Sequence, residues 1–378
     1  ALNRFHSLPV VITEYGVTTG RGMAQRDVNT GRNQGHMSEQ EHGQDLVDCY
    51  RDIMDAGCAG SCVFTWQDEW FKRTWNTMYA VDLDHTAYWS DAQTNEQYFG
   101  LLAFDPGEER SVCYVDGDVS EWTEADLVAA AGDLELSMKY DEKFLYFLVR
   151  KPGLDPRTDT LYIPLDVTPR SGSTYCQNYR VGFERACDFL VVIRGPDQSR
   201  VVVQKRYEAL ASTYAAEYYA DDYYINVPDP DTPYFERIKL PLVLEEVLPD
   251  RSAEEGSGLA YETGKLRHGN ANPESEDFDS LADFIFAGDY VELRLPWQLL
   301  NFSNPSEMQI HDDYYQHYGI ENLSIREIYA GAGDGPGQRI PMEAFPLEGW
   351  GKRPASHERL KRSYYILRDY WAALDGKA

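Results

Sequence analysis

The sequence predicts an α+β protein with a strand–helix–strand unit near its start, a large antiparallel β-sandwich after it and a helix at its C-terminal end. Residues 10–13 are all β-branched, a pattern that favours a short, fully buried strand. Ser38 and Glu41 fit an S-x-x-E capping box before a run with helical apolar spacing. From residue 110 onward, short alternating apolar runs are separated by Gly, Pro and Asp, which is typical of sandwich strands.

The composition indicates a folded, strongly acidic protein. The chain has 378 residues, of which 43% are hydrophobic, and its formal net charge is -28. Such a charge repels phosphate backbones and anionic membranes, so nucleic acid is not an expected partner. A run of 18 apolar residues, which a membrane span would need, is absent from the sequence. Because the chain opens on Ala1 and enters a core strand within ten residues, we expect it to be a piece of a longer polypeptide.

The six cysteines have no CxxC spacing, so a zinc site is not expected. Cys176 and Cys187 could bridge a hairpin in a secreted protein, although six buried thiols are the favoured interpretation. No cofactor is expected, and calcium is the one candidate metal. Clustered aspartates (Asp116 with Asp118, and Asp312 with Asp313) could ligate it, with solvated turns as the default interpretation.

The first 70 residues contain two strand ends that carry polar and aromatic side chains. The first predicted strand ends at Glu14, Tyr15 and Gly16, and a long loop is expected over residues 17–37 before the helix. Residues 60–70 form the second strand and its exit, which holds Trp66, Asp68, Glu69 and Trp70. Strands joined through a helix pair in parallel, so Glu14 and Trp66 should lie on one edge of one sheet.

Both strand ends resemble the last two strands of a (β/α)8-barrel glycoside hydrolase of the retaining clan that includes family 2. Val11-Ile12-Thr13-Glu14-Tyr15-Gly16 resembles the motif of the nucleophile, and Val63-Phe64-Thr65-Trp66 resembles the strand whose tryptophan floors the sugar site. The resemblance implies a partial barrel in which Glu14 is the catalytic nucleophile. It also implies substrate contacts from Tyr15, Trp66, Asp68, Glu69 and Trp70.

The same resemblance implies a missing half of the catalytic site. A retaining glycosidase needs a second carboxyl group about 5 Å from the nucleophile to protonate the leaving oxygen. In the clan this acid/base glutamate follows strand four, which would precede Ala1. We therefore expect the chain alone to be inactive, its partners to be the upstream barrel and a poly- or oligosaccharide, and its location to be extracellular or cell-surface.

The region after residue 110 resembles the family 9 carbohydrate-binding modules in patches. The carrying residues are Val115-Asp116-Gly117-Asp118-Val119-Ser120-Glu121-Trp122, Tyr140-Asp141-Glu142-Lys143-Phe144-Leu145-Tyr146 and Asp289-Tyr290-Val291-Glu292-Leu293-Arg294-Leu295-Pro296-Trp297. That family grips sugars between two exposed tryptophans. Trp122 and Trp297 are expected to anchor the core instead.

A tyrosine-rich insertion over residues 209–231 is the second candidate sugar surface. Tyr218, Tyr219, Tyr223 and Tyr224 could form a stacking platform or a packing surface, and packing is the favoured interpretation. The predicted divisions are residues 1–109 for the barrel part and connector, 110–350 for the sandwich and 351–378 for a docking helix. Ser356 can cap this helix, and its apolar stripe, which runs to Trp371 and Leu374, should dock either on the sandwich or on the strand–helix–strand unit. The leading hypothesis is the C-terminal part of a carbohydrate-active glycoside hydrolase; the alternatives are a non-catalytic glycan-binding module and a structural or assembly module.

Overall fold

The structure is a computed structural model that describes residues 7–27, 29–210, 227–242, 260–317 and 321–376. The described residues form a mixed α+β fold in which most strands belong to antiparallel sheets and four segments are α-helical. The predicted fold class is confirmed at this level.

The N-terminal part contains a parallel strand–helix–strand unit. Its elements are β1 (Val11–Tyr15), β2 (Gly20–Arg26), β3 (Asn33–Met37), α1 (Glu39–Asp55), β4 (Gly60–Val63) and β5 (Leu102–Pro106). β1 pairs with β4 in parallel, as predicted. Ser38 accepts a hydrogen bond from the backbone N–H of Glu41, whose carboxylate accepts one from the N–H of Ser38, so the predicted capping box fixes the start of α1.

Two expectations for this part are wrong. β1 is not fully buried, because α1 covers only one of its faces: Val11 is 50% exposed, and Tyr15 is the buried member of the strand. Residues 17–37 are not a long loop, since β2 and β3 form an antiparallel hairpin. Gly22 of this hairpin allows close packing: a Cβ there would lie 1.8 Å from the carbonyl oxygen of Gln93.

Strands of the second part follow in chain order. They are β6 (Leu127–Ala131), β7 (Leu134–Tyr140), β8 (Phe144–Arg150), β9 (Leu161–Asp166), β10 (Ser173–Cys176), β11 (Val181–Cys187), β12 (Phe189–Ile193), β13 (Arg200–Gln204), β14 (Phe235–Arg237), β15 (Leu240–Pro241), β16 (Ala260–Tyr261), β17 (Phe284–Ala287), β18 (Tyr290–Pro296), β19 (Phe302–Asn304), β20 (Gln309–His311), β21 (Asn322–Ser324), β22 (Glu327–Ala330), β23 (Arg339–Ile340) and β24 (Glu343–Pro346). Two short helices interrupt them, α2 (Gly195–Gln198) and α3 (Tyr314–His317).

Two large antiparallel sheets form the body of this part. One has the order β17-β18-β8-β7-β6 and the other the order β14-β13-β12-β9-β22-β24. Their facing side chains belong to one hydrophobic core, which includes Leu136, Phe147, Ile163 and Val191. The alternation that predicted β7 is visible in its burial, since Leu134, Leu136 and Met138 are buried between half-buried neighbours. Two sheets sharing one core are the arrangement of a β-sandwich.

The C-terminal segment returns to the first part of the chain. β25 (Ser356–Leu360) pairs antiparallel with β5, and α4 (Arg362–Asp375) follows it. Leu367 of α4 joins Leu46 and Val47 of α1 in a hydrophobic cluster that also contains Tyr15. Docking of this helix on the strand–helix–strand unit was one of the two expected positions.

The predicted start of this last helix is wrong. Ser356 does not cap it, because residues 356–360 pair as a strand and the cap position is Lys361. Near the end of the helix, Trp371 and Leu374 are 38% and 37% exposed, so the buried stripe is shorter than expected. None of the described helices is long and apolar enough to cross a membrane.

Candidate functional site

The carboxyl ends of β1 and β4 form an exposed polar and aromatic edge. Tyr15 pairs with Val63 across the strands, and the N–H of Phe64 donates to the carbonyl of Tyr15 at 2.8 Å. Glu14 is exposed, and Trp66 is 54% exposed with its ring edge-on to Tyr364 at 6.1 Å. The structure therefore brings the two main predicted residues to the same edge, and we call Glu14 with Trp66 the strand edge.

Tyr15 and Trp70, two further predicted substrate contacts, are buried in the protein interior. Tyr15 is 8% exposed, and burial raises its pKa to about 12. Trp70 is 9% exposed, and its carbonyl accepts a hydrogen bond from the side chain of Gln97 at 2.7 Å. Neither residue is presented at the exposed edge.

Asp68, expected as a substrate contact, is instead part of a buried ion pair. Its Oδ1 lies 2.6 Å from Nζ of Lys361, and the two side chains are 3% and 2% exposed. The same oxygen accepts the backbone N–H of Gly100 at 2.9 Å. Burial raises the pKa of Asp68 to about 6, an effect that Lys361 opposes. Asp68 thus anchors the C-terminal segment and does not reach the surface.

Glu69 is half-buried and pairs with Lys72 at 3.4 Å. The predicted platform of Tyr218, Tyr219, Tyr223 and Tyr224 lies outside the described residues.

The tryptophans of the sandwich act as anchors, as expected. Trp297 is fully buried and donates to the carbonyl of Asp141 at 2.9 Å. Trp122 donates to Glu292 at 2.8 Å. Trp350 lies 6.4 Å from Trp297, ring to ring, and donates to the carbonyl of Tyr88. These contacts hold the indoles in the structure and leave them poorly placed to grip a sugar.

The aspartates expected as possible calcium ligands have protein partners. Asp116 accepts hydrogen bonds from the Asp118 backbone and from Asn272 at 2.8 and 2.7 Å. Asp313 pairs with Arg206 at 2.8 Å. Among the residues that the structure describes, no group of three or more His, Cys, Asp or Glu side chains could hold a metal ion.

The cysteine expectations are partly wrong. Cys176 pairs with Val181 and Cys187 with Ser173 across the β10–β11 hairpin, so the two thiols are not opposite each other. All six cysteines are free, but Cys62 is exposed and Cys49 and Cys58 are half-buried, which leaves three buried thiols (Cys113, Cys176 and Cys187).

A partly open polar cavity lies where the first part of the chain meets the sandwich, and sequence reasoning missed it. Its volume is about 80 Å³, and we call it the junction cavity. Nine charged side chains line it: Arg21, Glu39, Asp68, Asp105, Lys143, Asp283, Arg294, Arg359 and Lys361. These residues come from distant parts of the chain, so no local sequence motif predicts the cluster.

Close ion pairs hold most of these charges. Arg21 lies 2.8 Å from Asp283. Arg359 lies 2.6 Å from Asp105 and 2.9 Å from Glu39, which joins β25 to the start of α1. Burial alone would raise the pKa of Asp105, but the charges of Arg359 and Lys143 hold it well below its usual range. The junction between the two parts is therefore stabilised by buried charge as well as by apolar contact.

Comparison with protein-family models, curated proteins and solved structures finds no significant match to this chain.

Proposed function

We propose that the chain is the C-terminal part of a retaining, polysaccharide-active glycoside hydrolase, with Glu14 as the nucleophile and Trp66 as the sugar platform. The observation that carries the proposal is the strand edge, where an exposed carboxylate and an exposed indole end two parallel strands. A carboxylate attacks the anomeric carbon in such enzymes, and an indole face packs on the apolar face of a sugar ring.

The packing around the two strands supports a barrel-like origin. Ile12, Tyr15 and Val63 face a cluster formed by both α1 and α4, whereas Val11 and Glu14 are exposed. In a (β/α)8 barrel, helices cover the outer face of each strand and the strand ends carry the chemistry. On this proposal α4 takes the position of the helix that follows the second strand, and the sandwich is inserted between that strand and its helix.

The proposed reaction has two steps. Glu14 forms a bond to the anomeric carbon as the glycosidic C–O bond breaks, and a second carboxyl group protonates the departing oxygen. That group, acting as a base, then activates a water molecule that releases the sugar from Glu14. Asp68 is unsuited to this role because it is buried against Lys361, and Glu69 pairs with Lys72. The acid/base residue is therefore assigned to upstream strands that add to the β1–β4 pair.

Mechanism-based labelling tests the assignment on the natural full-length protein. A 2-deoxy-2-fluoro glycoside of an accepted sugar should trap a glycosyl group on the peptide that contains Glu14, as read by mass spectrometry. Glu14→Gln should lower kcat at least ~10³-fold, in line with the loss of a catalytic nucleophile. Glu343→Gln, at an exposed glutamate on β24 of the sandwich, is the matched control and should keep full activity.

Two results would contradict the proposal: labelling of a different carboxylate, or wild-type activity in Glu14→Gln. The exposure of Trp66 favours one alternative, a non-catalytic glycan-binding edge. In that case Trp66→Ala abolishes glycan binding, while Glu14→Gln leaves binding intact and the full-length protein hydrolyses none of the glycosides tested.

A further inference from the structure

The junction cavity contains more positive than negative charge. Its lining includes five cations (Arg21, Lys143, Arg294, Arg359 and Lys361) against four carboxylates (Glu39, Asp68, Asp105 and Asp283), which leaves one positive charge if all are ionised. Uncompensated charge in a water-poor interior is costly, so such a cavity attracts an anion.

Two of the five cations lack a close carboxylate partner. Lys143 approaches Asp105 only to 4.0 Å and, among the described residues, its ammonium group makes no hydrogen bond. It lies over the rings of Tyr98 and Phe144, at 5.1 and 5.7 Å from their centroids. The remaining cation is Arg294. Within the described part of the chain its guanidinium donates to two acceptors, the carbonyls of Ala282 and Ser280, although it carries five N–H groups.

Both of these cations approach the same aromatic ring. Arg294 stacks on Phe144 at 4.6 Å, on the same ring that Lys143 approaches. Burial lowers the pKa of Lys143, as does the charge of Arg294, while Asp105 raises it. Two neighbouring cations with unused donors, both lining one cavity, are a ready anion-binding pair.

We propose that the junction cavity binds the carboxylate of a small organic acid, held by Lys143 and Arg294. A volume of about 80 Å³ has room for a small carboxylate. One negative charge neutralises the net positive charge of the lining residues, whereas a phosphate dianion would leave the cavity with a net negative charge.

An adjacent groove gives the rest of the ligand a place to lie. This groove has a volume of about 500 Å³ and shares Tyr114, Pro273 and Arg359 with the lining of the cavity. Tyr365 and His357 line it as well. The carboxylate therefore belongs either to a free small acid or to a uronic acid unit whose ring stays in the groove.

Calorimetric titration of the whole chain, in a buffer free of carboxylate and phosphate, distinguishes a free small acid from a uronic acid unit. Acetate and glucuronate are the two carboxylate probes, glucose is the neutral control and inorganic phosphate is the dianion control. A ligand of this size should bind with a Kd on the order of 1 mM. Acetate and glucuronate binding equally identifies a free small acid, whereas glucuronate binding at least tenfold tighter identifies a uronic acid unit.

Lys143→Met should weaken carboxylate binding at least tenfold. Lys139→Met is the matched control, because Lys139 lies on the neighbouring strand and pairs with Asp126 at 3.3 Å, away from the cavity lining. The melting temperature of Lys143→Met without ligand is measured alongside, to show that the variant folds. Arg294→Lys keeps the positive charge but removes the guanidinium N–H donors, so it should also weaken carboxylate binding. This second variant tests the proposal even if Lys143→Met does not fold.

Three outcomes would overturn the inference: no binding of either carboxylate by the wild type, equal binding of glucose and glucuronate, or undiminished carboxylate binding in both Lys143→Met and Arg294→Lys.

Discussion

The buried pair of Asp68 and Lys361 connects the loop after β4 to the cap of α4, and its energetic role can be measured directly. The charged atoms lie 2.6 Å apart and the two side chains are 3% and 2% exposed. Lys361→Met leaves Asp68 buried without its cation, and Asp68→Leu leaves the ammonium buried without its anion. Removing one partner of a buried pair costs about 3–5 kcal/mol of unfolding free energy.

The double variant Asp68→Leu with Lys361→Met should recover most of that loss. It removes both charges together, and replacing a buried pair by apolar groups is often close to neutral. We therefore expect a coupling energy of at least about 2 kcal/mol between the two positions. The Thr19 hydroxyl also accepts from Lys361, at 3.2 Å, so a small residual cost should remain in the double variant.

Urea unfolding followed by tryptophan fluorescence provides the measurement. It should be made at pH 8, because the pKa of Asp68 is raised to about 6 and the carboxyl must be ionised for the cycle to report the charged pair. Single variants that each cost less than about 1 kcal/mol, or a double variant whose cost equals the sum of the singles, would refute a structural role for the pair. Asp68 would then return as a candidate substrate contact.

Two further predictions concern the same part of the fold. Burial, with a contribution from Lys361, lowers the pKa of His42 to about 3. Below about pH 6.5 the unfolded chain therefore binds a proton at this position that the folded chain does not bind. As the pH falls from 7 to 4.5, this difference lowers the unfolding free energy by about 2–3 kcal/mol. His42→Leu should remove that part of the acid sensitivity in urea titrations at the two pH values, whereas Leu46→Val should lower stability equally at both, and an unchanged pH dependence in His42→Leu would contradict the assignment. Gly22→Ala should lower the unfolding free energy by about 2 kcal/mol or more, because the added Cβ would lie 1.8 Å from the Gln93 carbonyl oxygen. Gly60→Ala is the control and should be tolerated, since no atom lies within 4 Å of its added Cβ. Equal melting temperatures for the two variants would show that the backbone at Gly22 shifts at little cost.

Local patterns predicted most of the secondary structure because local physics controls it. The Ser38–Glu41 capping box and the alternation of Leu134, Leu136 and Met138 depend on neighbours a few residues away, and both are present in the structure. The parallel pairing of β1 with β4 followed from the intervening helix. The expected loop over residues 17–37 was wrong in part because Gly22 packs against Gln93, which lies far along the chain.

The sequence by itself determined the α+β class, the presence of sandwich strands and the shared edge of Glu14 and Trp66. These features depend on residue periodicity and on the parallel pairing of strands that are joined through a helix. Only the tertiary structure decided that Asp68 belongs to a buried ion pair and that nine charged side chains enclose one cavity. The partner of Asp68 lies 293 positions away, and Lys143 and Arg294 approach the same ring, that of Phe144, only because β8 pairs with β18. Long-range electrostatic contacts of this kind have no local signature, because their energy depends on burial that the whole fold creates.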